Sequence, residues 1–534
     1  MKKLQVWLPL LFAVTLIAGM WIGSGLRKNI PFSRGLFQTT RPSTVQEVVD
    51  LVNLRYVDKV NTDSLTEDAI QAMLAHLDPH SIFIPASRLT EINEDLQGNF
   101  EGIGVEFFII GDTVHASSIL EDGPSDAAGI LPGDRFLKVG DTVVTGNITA
   151  DRIKKLLRGP GGTKVAISLL RAGKPIQVTV TRGTIPLYSV DAAYLMDNQT
   201  GYIHINKFSG TTYEEFMAAM EKLQKEGMKK LVLDLRDNGG GILGEAVDIA
   251  DEFLDDDKLI VYTQGDKQPK TEFRCKRPGL FETGELVLLL DEGSASASEV
   301  LAGALQDWDR ASIIGRRSFG KGLVQEQYNL TNGGALRLTV ARYYTPLGRN
   351  IQKPYDKGRS AYNDELMERF HNGEMLVGDT ASTHAGPVYK TKGGRTVYGG
   401  GGITPDVFVP YDTATFSPAT VNLFNSQLFS RFIYTYYIDN MAYFSQFKTP
   451  QALAQGFNKV DEAWEELLNY AQKDAVNLGT IPEKDKVEVK KRIRTWMGRQ
   501  IWRMEGYYEI NNLFDELVKK GLDQLKTPME QKLK

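Results

Sequence analysis

Residues 201–236 read GYIHINKFSGTTYEEFMAAMEKLQKEGMKKLVLDLR, and this stretch decides the fold. Its two ends, GYIHINKF and KKLVLDLR, are apolar runs of the kind that form strands. The segment between them, TYEEFMAAMEKLQKEG, has the apolar spacing of a helix. A strand, a helix and a second strand in this order predict an α/β core.

The chain has 534 residues, too many for a single core, so several domains are expected. Strand and helix patterns alternate from about residue 186 to 410, which we assign to the α/β core. Residues 98–185 carry short alternating strands separated by Gly- and Pro-rich turns, with one helix at about 149–157. This pattern predicts a small β-rich domain. Residues 40–97 and 411–534 are helical in pattern.

The N-terminus begins with a membrane-targeting pattern. Lysines at positions 2 and 3 precede an apolar run from Leu4 to about Leu26. About 20 apolar residues are long enough to span a bilayer, so residues 1–28 are predicted to be an uncleaved signal anchor. The alternative is a signal peptide that is cleaved after the sequence Gly23-Ser24-Gly25.

Composition excludes some functions. The net charge is −5 and the basic residues are scattered, so no electrostatic argument favours nucleic-acid binding. Cys275 is the only cysteine, so no disulfide can form within the chain.

The octapeptide GRRSFGKG, beginning at Gly315, allows three interpretations. It fits the GxxxxGK of a phosphate-binding loop, but Gly322 stands where Ser or Thr binds magnesium, and a strand-like segment follows instead of a helix. Ser318 and Lys321 fit the SxxK nucleophile motif, but Gly320 and Gly322 disfavour the helix that this motif needs. The third interpretation is that Lys321 is a buried base for a serine elsewhere.

The segment LVLLLDEGSASASEVLAGALQD, from Leu286, offers that serine. A buried strand runs into a turn with Ser294, Ser296 and Ser298, and a helix is predicted at about 298–307. Free N–H groups and the dipole at a helix N-terminus favour a developing oxyanion, which suits a nucleophile. The residues alone equally allow serines that only cap the helix.

A serine nucleophile needs a base, and none of the six histidines lies in a compelling motif. Lys321 can serve if burial keeps it neutral, because burial disfavours an ammonium. If 321–327 is one strand, Gln325 shares a face with Lys321 and can hold its amine by a hydrogen bond. An ordinary surface lysine is the other interpretation.

A second glycine loop follows the strand LVLDL in the sequence RDNGGG. The N–H groups of Gly239 to Gly241 are predicted to bind an anion or oxyanion. A tight strand-to-helix turn explains the same residues equally well.

Seven motifs in order resemble the carboxyl-terminal processing (tail-specific) proteases: LDPHS, EGIGV, LDLRDNGGG, SASASE, SFGKGLVQ, YYTPLGRNIQ and GGGGITPD. The match covers about residues 40–410. The resemblance implies a multidomain α/β (α+β) protease core of crotonase/Clp-like type with an inserted PDZ domain. The expected domains are a signal anchor (1–28), an N-terminal helical region (40–97), the PDZ domain (98–185), the serine protease core (186–410) and a C-terminal all-helical domain (411–534).

The same resemblance implies a Ser–Lys dyad. Ser296 is the expected nucleophile, Lys321 the general base and Gln325 the residue that orients it. The expected oxyanion donors are the backbone N–H groups of Ala297 and of Gly240 or Gly241. The PDZ carboxylate-binding loop is expected at Gly102, Ile103, Gly104 and Val105. No metal or cofactor is implied.

The resemblance further implies a serine endopeptidase that recognises free, mostly apolar C-terminal tails of exported proteins and cleaves near the C-terminus. The expected partners are such polypeptides, with the membrane reached through the N-terminal anchor. The expected location is the bacterial cell envelope, anchored in the inner membrane with the catalytic domain in the periplasm. The region beyond 411 is expected to serve oligomerisation, docking or an adaptor. The rival class is a tethered, non-catalytic scaffold that uses only the PDZ groove.

Overall fold

The computed structural model describes these residues: 7, 12–19, 21, 43–378, 386–412, 416–474 and 476–527. The chain divides into two compact units, residues 1–72 and 73–534. Within the described residues, no helix is both long and apolar enough to cross a bilayer. The anchor predicted for residues 1–28 lies mostly outside the described residues.

The N-terminal region is mainly helical. Its elements are α1 (Thr44–Arg55), α2 (Thr62–Ala75), β1 (Ile82–Ile84) and α3 (Ala86–Gln97). The side chain of Ser43 caps α1 by accepting from the N–H of Gln46. The loop between α2 and β1 contains the LDPHS motif, where a proline interrupts the helical pattern.

The β-rich domain is built on an antiparallel sheet. Its elements are β2 (Asn99–Gly102), β3 (Val105–Ile110), β4 (Thr113–Ile119), α4 (Pro124–Ala127), β5 (Arg135–Val139), β6 (Thr142–Val143), α5 (Ala150–Leu157), β7 (Lys164–Arg171), β8 (Lys174–Thr181) and β9 (Gly183–Pro186). The sheet order is β3-β4-β5-β7-β8, with β6 paired to β5. Helix α5 packs through Ile153 and Leu157, which lie one turn apart on the same face.

The α/β core follows in the chain. Its elements are β10 (Val190–Leu195), β11 (Thr200–Ile205), α6 (Thr212–Lys225), β12 (Lys230–Asp234), α7 (Leu243–Asp251), β13 (Leu259–Gln264), β14 (Thr271–Arg274), β15 (Glu285–Leu290), α8 (Ala297–Asp307), β16 (Ser312–Gly315), β17 (Leu323–Asn329), β18 (Ala335–Tyr344), α9 (Arg359–His371), α10 (Glu374–Val377), β19 (Val388–Lys390), β20 (Thr396–Tyr398) and β21 (Val407–Phe408).

Two large sheets and a two-stranded sheet of β19 and β20 form this core. One large sheet has the order β10-β11-β12-β15-β16-β21, and all its pairs are parallel except β10 with β11. The other large sheet has the order β1-β18-β13-β14, with β17 paired to β18. The stretch at 201–236 forms β11, α6 and β12, which confirms the strand–helix–strand prediction. Because β12, β15 and β16 are parallel neighbours, the loops that follow them leave at one edge of the sheet, where ligands bind in open α/β sheets.

The C-terminal region is helical. Its elements are α11 (Pro418–Asn425), α12 (Gln427–Asp439), α13 (Met441–Phe444), α14 (Pro450–Gly456), α15 (Val460–Lys473), α16 (Glu483–Asn511) and α17 (Glu516–Gln524). Helix α16 kinks at Trp502 and Arg503, where Arg503 has a φ of +57°. The protein therefore has the expected architecture: a mixed α/β core with a PDZ-like β-rich domain and a helical C-terminal region.

Candidate active site

Ser296 occupies a strained turn between β15 and α8. Its φ is +56° and its ψ −112°, a conformation that costs energy for a residue with a side chain and that concentrates at functional sites. The neighbouring serines fasten this turn: the buried Ser294 hydroxyl donates to the carbonyl of Leu235, and Ser298 donates to the carbonyl of Asn238. Ser296 itself is only half-buried. The turn therefore presents one serine and uses the other two for support.

Glu299 joins this serine turn to the lysine loop. Its side chain is fully buried, and Oε2 accepts from the N–H groups of Ser296 and Lys321, both at 2.8 Å. Oε1 accepts from the N–H of Gly320 at 2.7 Å and from the Ser318 hydroxyl at 2.6 Å. Burial raises the pKa of Glu299, and these four donors oppose the shift. Ser318, the serine of the discarded SxxK interpretation, is thus a structural residue here.

Tyr343 contacts the same two residues from their carbonyl side. Its hydroxyl lies 3.0 Å from the carbonyl oxygen of Ser296 and within hydrogen-bonding reach of the carbonyl oxygen of Lys321. The side chain is buried on β18. Glu299 binds both amides and Tyr343 contacts both carbonyls, so the backbones of Ser296 and Lys321 are held in a fixed relation.

Lys321 lies in a loop whose glycines allow close packing. A Cβ on Gly320 would lie 3.1 Å from Gly402 N, and one on Gly322 would lie 2.9 Å from Gln352 N. Burial lowers the pKa of Lys321, and the charge of Arg337 lowers it further. The nearby carboxylates Glu299 and Asp78 act in the opposite direction on this pKa. A lysine in such surroundings is easier to deprotonate than one in water.

Gln325 does not lie where a continuous strand would place it. Strand β17 begins at Leu323 rather than Lys321, and a bulge interrupts its pairing between Val324 and Gln325. The side-chain alternation assumed for 321–327 therefore does not hold. In the described part of the chain no hydrogen bond joins Gln325 to Lys321, and the buried Nε2 of Gln325 has no partner. Its orienting role stays a prediction.

The second glycine loop, which follows β12, packs directly on the serine turn. A Cβ on Gly240 would lie 2.6 Å from the carbonyl oxygen of Ala295 and 2.9 Å from the nitrogen of Ala297. The N–H of Gly240 donates to Oδ1 of Asn238 at 2.9 Å, and Gly241 pairs with Phe208. The structure thus brings Gly240, one of the two expected oxyanion glycines, beside Ala297, the first residue of α8, with the Gly240 N–H bound to Asn238.

The LDPHS motif contributes His80, a side chain whose local sequence gives no catalytic signal. Asp78 accepts from the N–H groups of His80 and Ser81, and it also accepts from the Ser81 hydroxyl. Nε2 of His80 lies 2.8 Å from the Tyr362 hydroxyl. Burial is the main reason that the pKa of His80 is lowered to about 4, and the charge of Lys321 is the next cause. His80 therefore belongs to the surroundings of Lys321.

The expected carboxylate-binding loop connects β2 to β3. Gly102 ends β2, Ile103 and Gly104 form the connection, and Val105 begins β3. The carbonyl oxygens of Ile103 and Gly104 accept from Ser125 N at 2.9 Å and Leu120 N at 3.0 Å, which fixes the loop. Strand β3 lies at the edge of its sheet, where an extended peptide can add as a further strand.

Comparisons with known protein families match three parts of the chain. Peptidase family S41 matches residues 199–357, the PDZ domain matches residues 115–171, and a family of unknown function matches residues 420–503. A carboxy-terminal-processing protease of Bartonella bacilliformis is 34% identical over 341 residues, which are 62% of this chain and 78% of the relative. A CtpA-like serine protease of Staphylococcus haemolyticus is 34% identical over 354 residues, which are 66% of this chain and 71% of the relative.

Among solved structures, the photosystem II D1 C-terminal processing protease is 27% identical, covers 68% of this chain and 86% of its own, and has a TM-score of 0.34. The peptidase and PDZ matches define the class, a serine peptidase that carries a PDZ domain, and Ser296 lies on the kind of strained strand-to-helix turn that presents a nucleophile. The sequence relatives narrow that class: the chain belongs to the carboxyl-terminal processing proteases of peptidase family S41.

Proposed function

We propose that this protein is a serine endopeptidase that cleaves near the C-termini of other proteins with a Ser296–Lys321 dyad. The observation that carries this proposal is the carboxylate of Glu299, which binds the backbone N–H groups of both residues. That bridge holds a serine in a strained turn beside a lysine whose pKa is lowered by burial.

The dyad would act by acyl transfer. Neutral Lys321 accepts the proton of Ser296 as the serine oxygen attacks the scissile carbonyl carbon. The N–H of Ala297 and the N–H of Gly240 or Gly241 would stabilise the oxyanion, and for Gly240 this requires release of its hydrogen bond to Asn238. Lys321 then donates its proton to the leaving amine, and it accepts a proton from the water that hydrolyses the acyl-enzyme.

Substrates would be recognised by their free C-terminal tails. The loop Gly102–Val105 would bind the terminal carboxylate, and the tail would add to the free edge of β3. The groove beside this strand is lined by apolar residues, among them Ile103, Phe107 and Leu157, which favours apolar tails.

The location is also part of the proposal. The apolar run at residues 1–28 would anchor the protein in the inner membrane of a bacterial envelope, with the peptidase in the periplasm. Membrane fractionation of cells that express the full chain, compared with a chain that begins at residue 29, tests this directly. Recovery of both proteins in the same soluble fraction would contradict the anchor.

The proposed function is tested by cleavage. A folded reporter protein with an apolar C-terminal tail is incubated with wild-type protein and with Ser296→Ala, and the products are identified by mass spectrometry. Wild type is expected to remove C-terminal residues, and Ser296→Ala is expected to leave the reporter intact. Equal cleavage by both would reject the dyad, and binding of the tail by wild type without cleavage would favour the scaffold function.

A further inference from the structure

The groove beside β3 has a wall that does not belong to the PDZ domain. The groove encloses about 630 Å³. One side consists of the carboxylate-binding loop, β3 and α5. The other side consists of residues from the C-terminal helical region: Gln427 and Ser430 of α12, and Trp496 and Arg499 of α16.

Polar contacts hold this second wall against the PDZ sheet. The guanidinium of Arg503 lies 3.2 Å from the carboxylate of Glu106 on β3. Nε2 of Gln500 donates to the carbonyl oxygen of Ser117 on β4 at 2.9 Å. Both contacts reach the strands that form the groove, so α16 stands beside the free edge of β3.

Trp496 is the aromatic residue of this wall, and its ring is held on two sides. It packs edge-on against Phe429 with ring centroids 5.9 Å apart, and the Arg499 guanidinium lies 5.5 Å from its ring centroid. An aromatic side chain that is already immobilised loses little entropy when a partner binds.

The charges along the groove suit an anionic chain end. Lys154, Arg158 and Arg499 line it, against the single carboxylate of Glu106, which lies 3.9 Å from the Arg499 guanidinium. Arg158 is already paired with Glu94 at 2.7 Å, while Lys154 is exposed and forms no ion pair with any residue that the structure describes. A bound terminal carboxylate would therefore find one cationic side chain, Lys154, without an ion pair among the described residues, and the three cations of the groove outnumber its one carboxylate.

We propose that Trp496 and Arg499 form the second wall of the tail-binding groove, so that an extended, apolar C-terminal tail binds between the PDZ domain and the C-terminal helical region. This inference rests on the tail recognition in the proposed function. In a strand added to β3, alternate side chains point to opposite sides. One set would contact α5 and the other set would contact Trp496, so the helical region would help to select the tail.

Binding to the full chain tests this inference. Ser296→Ala is the parent protein, so that no peptide is cleaved, and the probe is a short fluorescein-labelled peptide ending in Leu-Val-Val with a free carboxylate. Fluorescence anisotropy measures its Kd. We expect Trp496→Ala to weaken binding roughly tenfold, as truncation of an aromatic anchor does, and Arg499→Ala to weaken it roughly fivefold.

Matched variants on the same helices distinguish the loss of contacts in the groove from general effects on folding. Val487→Ala and Lys490→Ala change α16 outside the groove and are expected to bind like the parent. Ser430→Trp fills the groove without removing any packing and is expected to weaken binding, whereas Asp439→Trp, on the exposed part of α12, is not.

The outcomes distinguish this inference from the function on which it rests. If the parent does not bind the peptide, or binds an amidated peptide equally well, recognition of free C-terminal tails is rejected. The proposed role of the second wall is then rejected as well. If the parent prefers the free carboxylate but Trp496→Ala, Arg499→Ala and Ser430→Trp all bind as tightly as the parent, the wall alone is rejected.

Discussion

Lys321 is the residue on which the proposed chemistry depends most, because only an unprotonated lysine can accept the serine proton. Burial favours that form, and Arg337 reinforces it. His80 is a competing base in the same surroundings, but burial and the charge of Lys321 lower its pKa to about 4. Both groups are therefore shifted toward the neutral form that a base needs, and they have to be distinguished by experiment.

The pH dependence of kcat/KM separates the two bases, since this quantity reports groups of the free enzyme. Activity should rise with pH as Lys321 loses its proton, with a midpoint below 10.5, the value of an ordinary lysine. Lys321→Arg should be inactive because arginine stays protonated. A midpoint near pH 4 that disappears in His80→Gln would instead identify His80 as the base.

Glu299 should matter as a positioning residue. Glu299→Gln keeps the shape but offers only one oxygen to four donors, and its amide N–H₂ faces N–H groups. We expect kcat to fall about 10- to 100-fold with little change in KM, because a small displacement of reacting groups has effects of this size. The free energy of unfolding should fall by about 1–3 kcal/mol.

Steady-state kinetics and urea unfolding on the same preparations measure the two effects of Glu299→Gln. A loss of stability with an unchanged kcat would show that Glu299 only supports the fold. Glu292, an acidic residue at the start of the same turn that pairs with Arg316, is the matched control as Glu292→Gln.

At the level of single residues, the sequence predicts a side chain's role best where that role depends on residues a few positions away in the chain. The Ser-x-x-Glu spacing at 296–299 is that of a capping box, and it is the signal that would have found Glu299. Tyr343 and His80 carry no such signal. Both come near Lys321 only through tertiary packing: Tyr343 lies on β18, and His80 lies in the LDPHS loop. The whole PDZ domain separates that loop from Lys321 in the sequence.

Among the secondary-structure elements, the strand, turn and helix around Ser296 are predictable from the local sequence. A buried apolar run, small residues and a helical pattern are all local, and α8 was placed to within a residue. The bulge between Val324 and Gln325 was not predictable in the same way, because it is defined by the pairing of β17 with β18. A shift of one residue in the pairing of two strands moves a side chain to the other face of the sheet. The expected contact of Gln325 with Lys321 therefore depends on how β17 pairs with β18, which the local sequence does not show.

The contact between the glycine loop and the serine turn gives an element-level prediction. In Gly240→Ala the added Cβ would lie 2.6 Å from the carbonyl oxygen of Ala295, and Gly240 also has a φ of +93°. The serine turn must shift, so activity should fall by about 100-fold or more. Gly239→Ala is the matched control, since nothing lies within 4 Å of its added Cβ.

Cleavage rates and circular dichroism of both glycine variants measure this prediction. Gly239→Ala should retain both activity and fold. Wild-type activity in Gly240→Ala would show that the glycine loop does not support the serine turn.

In the molecule as a whole, the C-terminal helical region is part of the peptidase rather than an appendage. Helix α17 covers the outer face of the parallel sheet, where Val518 packs with residues of β11, β12 and β15. Arg236, which follows β12, binds Asp234 and Asp515, the residue that caps α17. The sequence predicts that residues 411–534 are helical. It does not predict that α17 covers the sheet, because this packing depends on which apolar surfaces meet in the folded chain.

Val518→Asp tests this packing. A carboxylate placed at this fully buried position has no partner, so the free energy of unfolding should fall by about 3 kcal/mol or more. Lys520→Asp changes the charge by two units rather than one, at an exposed site on the same helix, and should still have little effect on the free energy of unfolding. Thermal unfolding measures both, and equal Tm values for the two variants would contradict the packing.

The most direct test of the central claim is to locate the nucleophile. A fluorophosphonate, which reacts covalently with an activated serine, is incubated with wild type, Ser296→Ala and Lys321→Ala, and the modified peptide is identified by mass spectrometry. The Ser–Lys mechanism predicts one label on Ser296, none in Ser296→Ala and a strongly reduced rate in Lys321→Ala. A label on another serine, or labelling of Ser296 at an unchanged rate without Lys321, would contradict it.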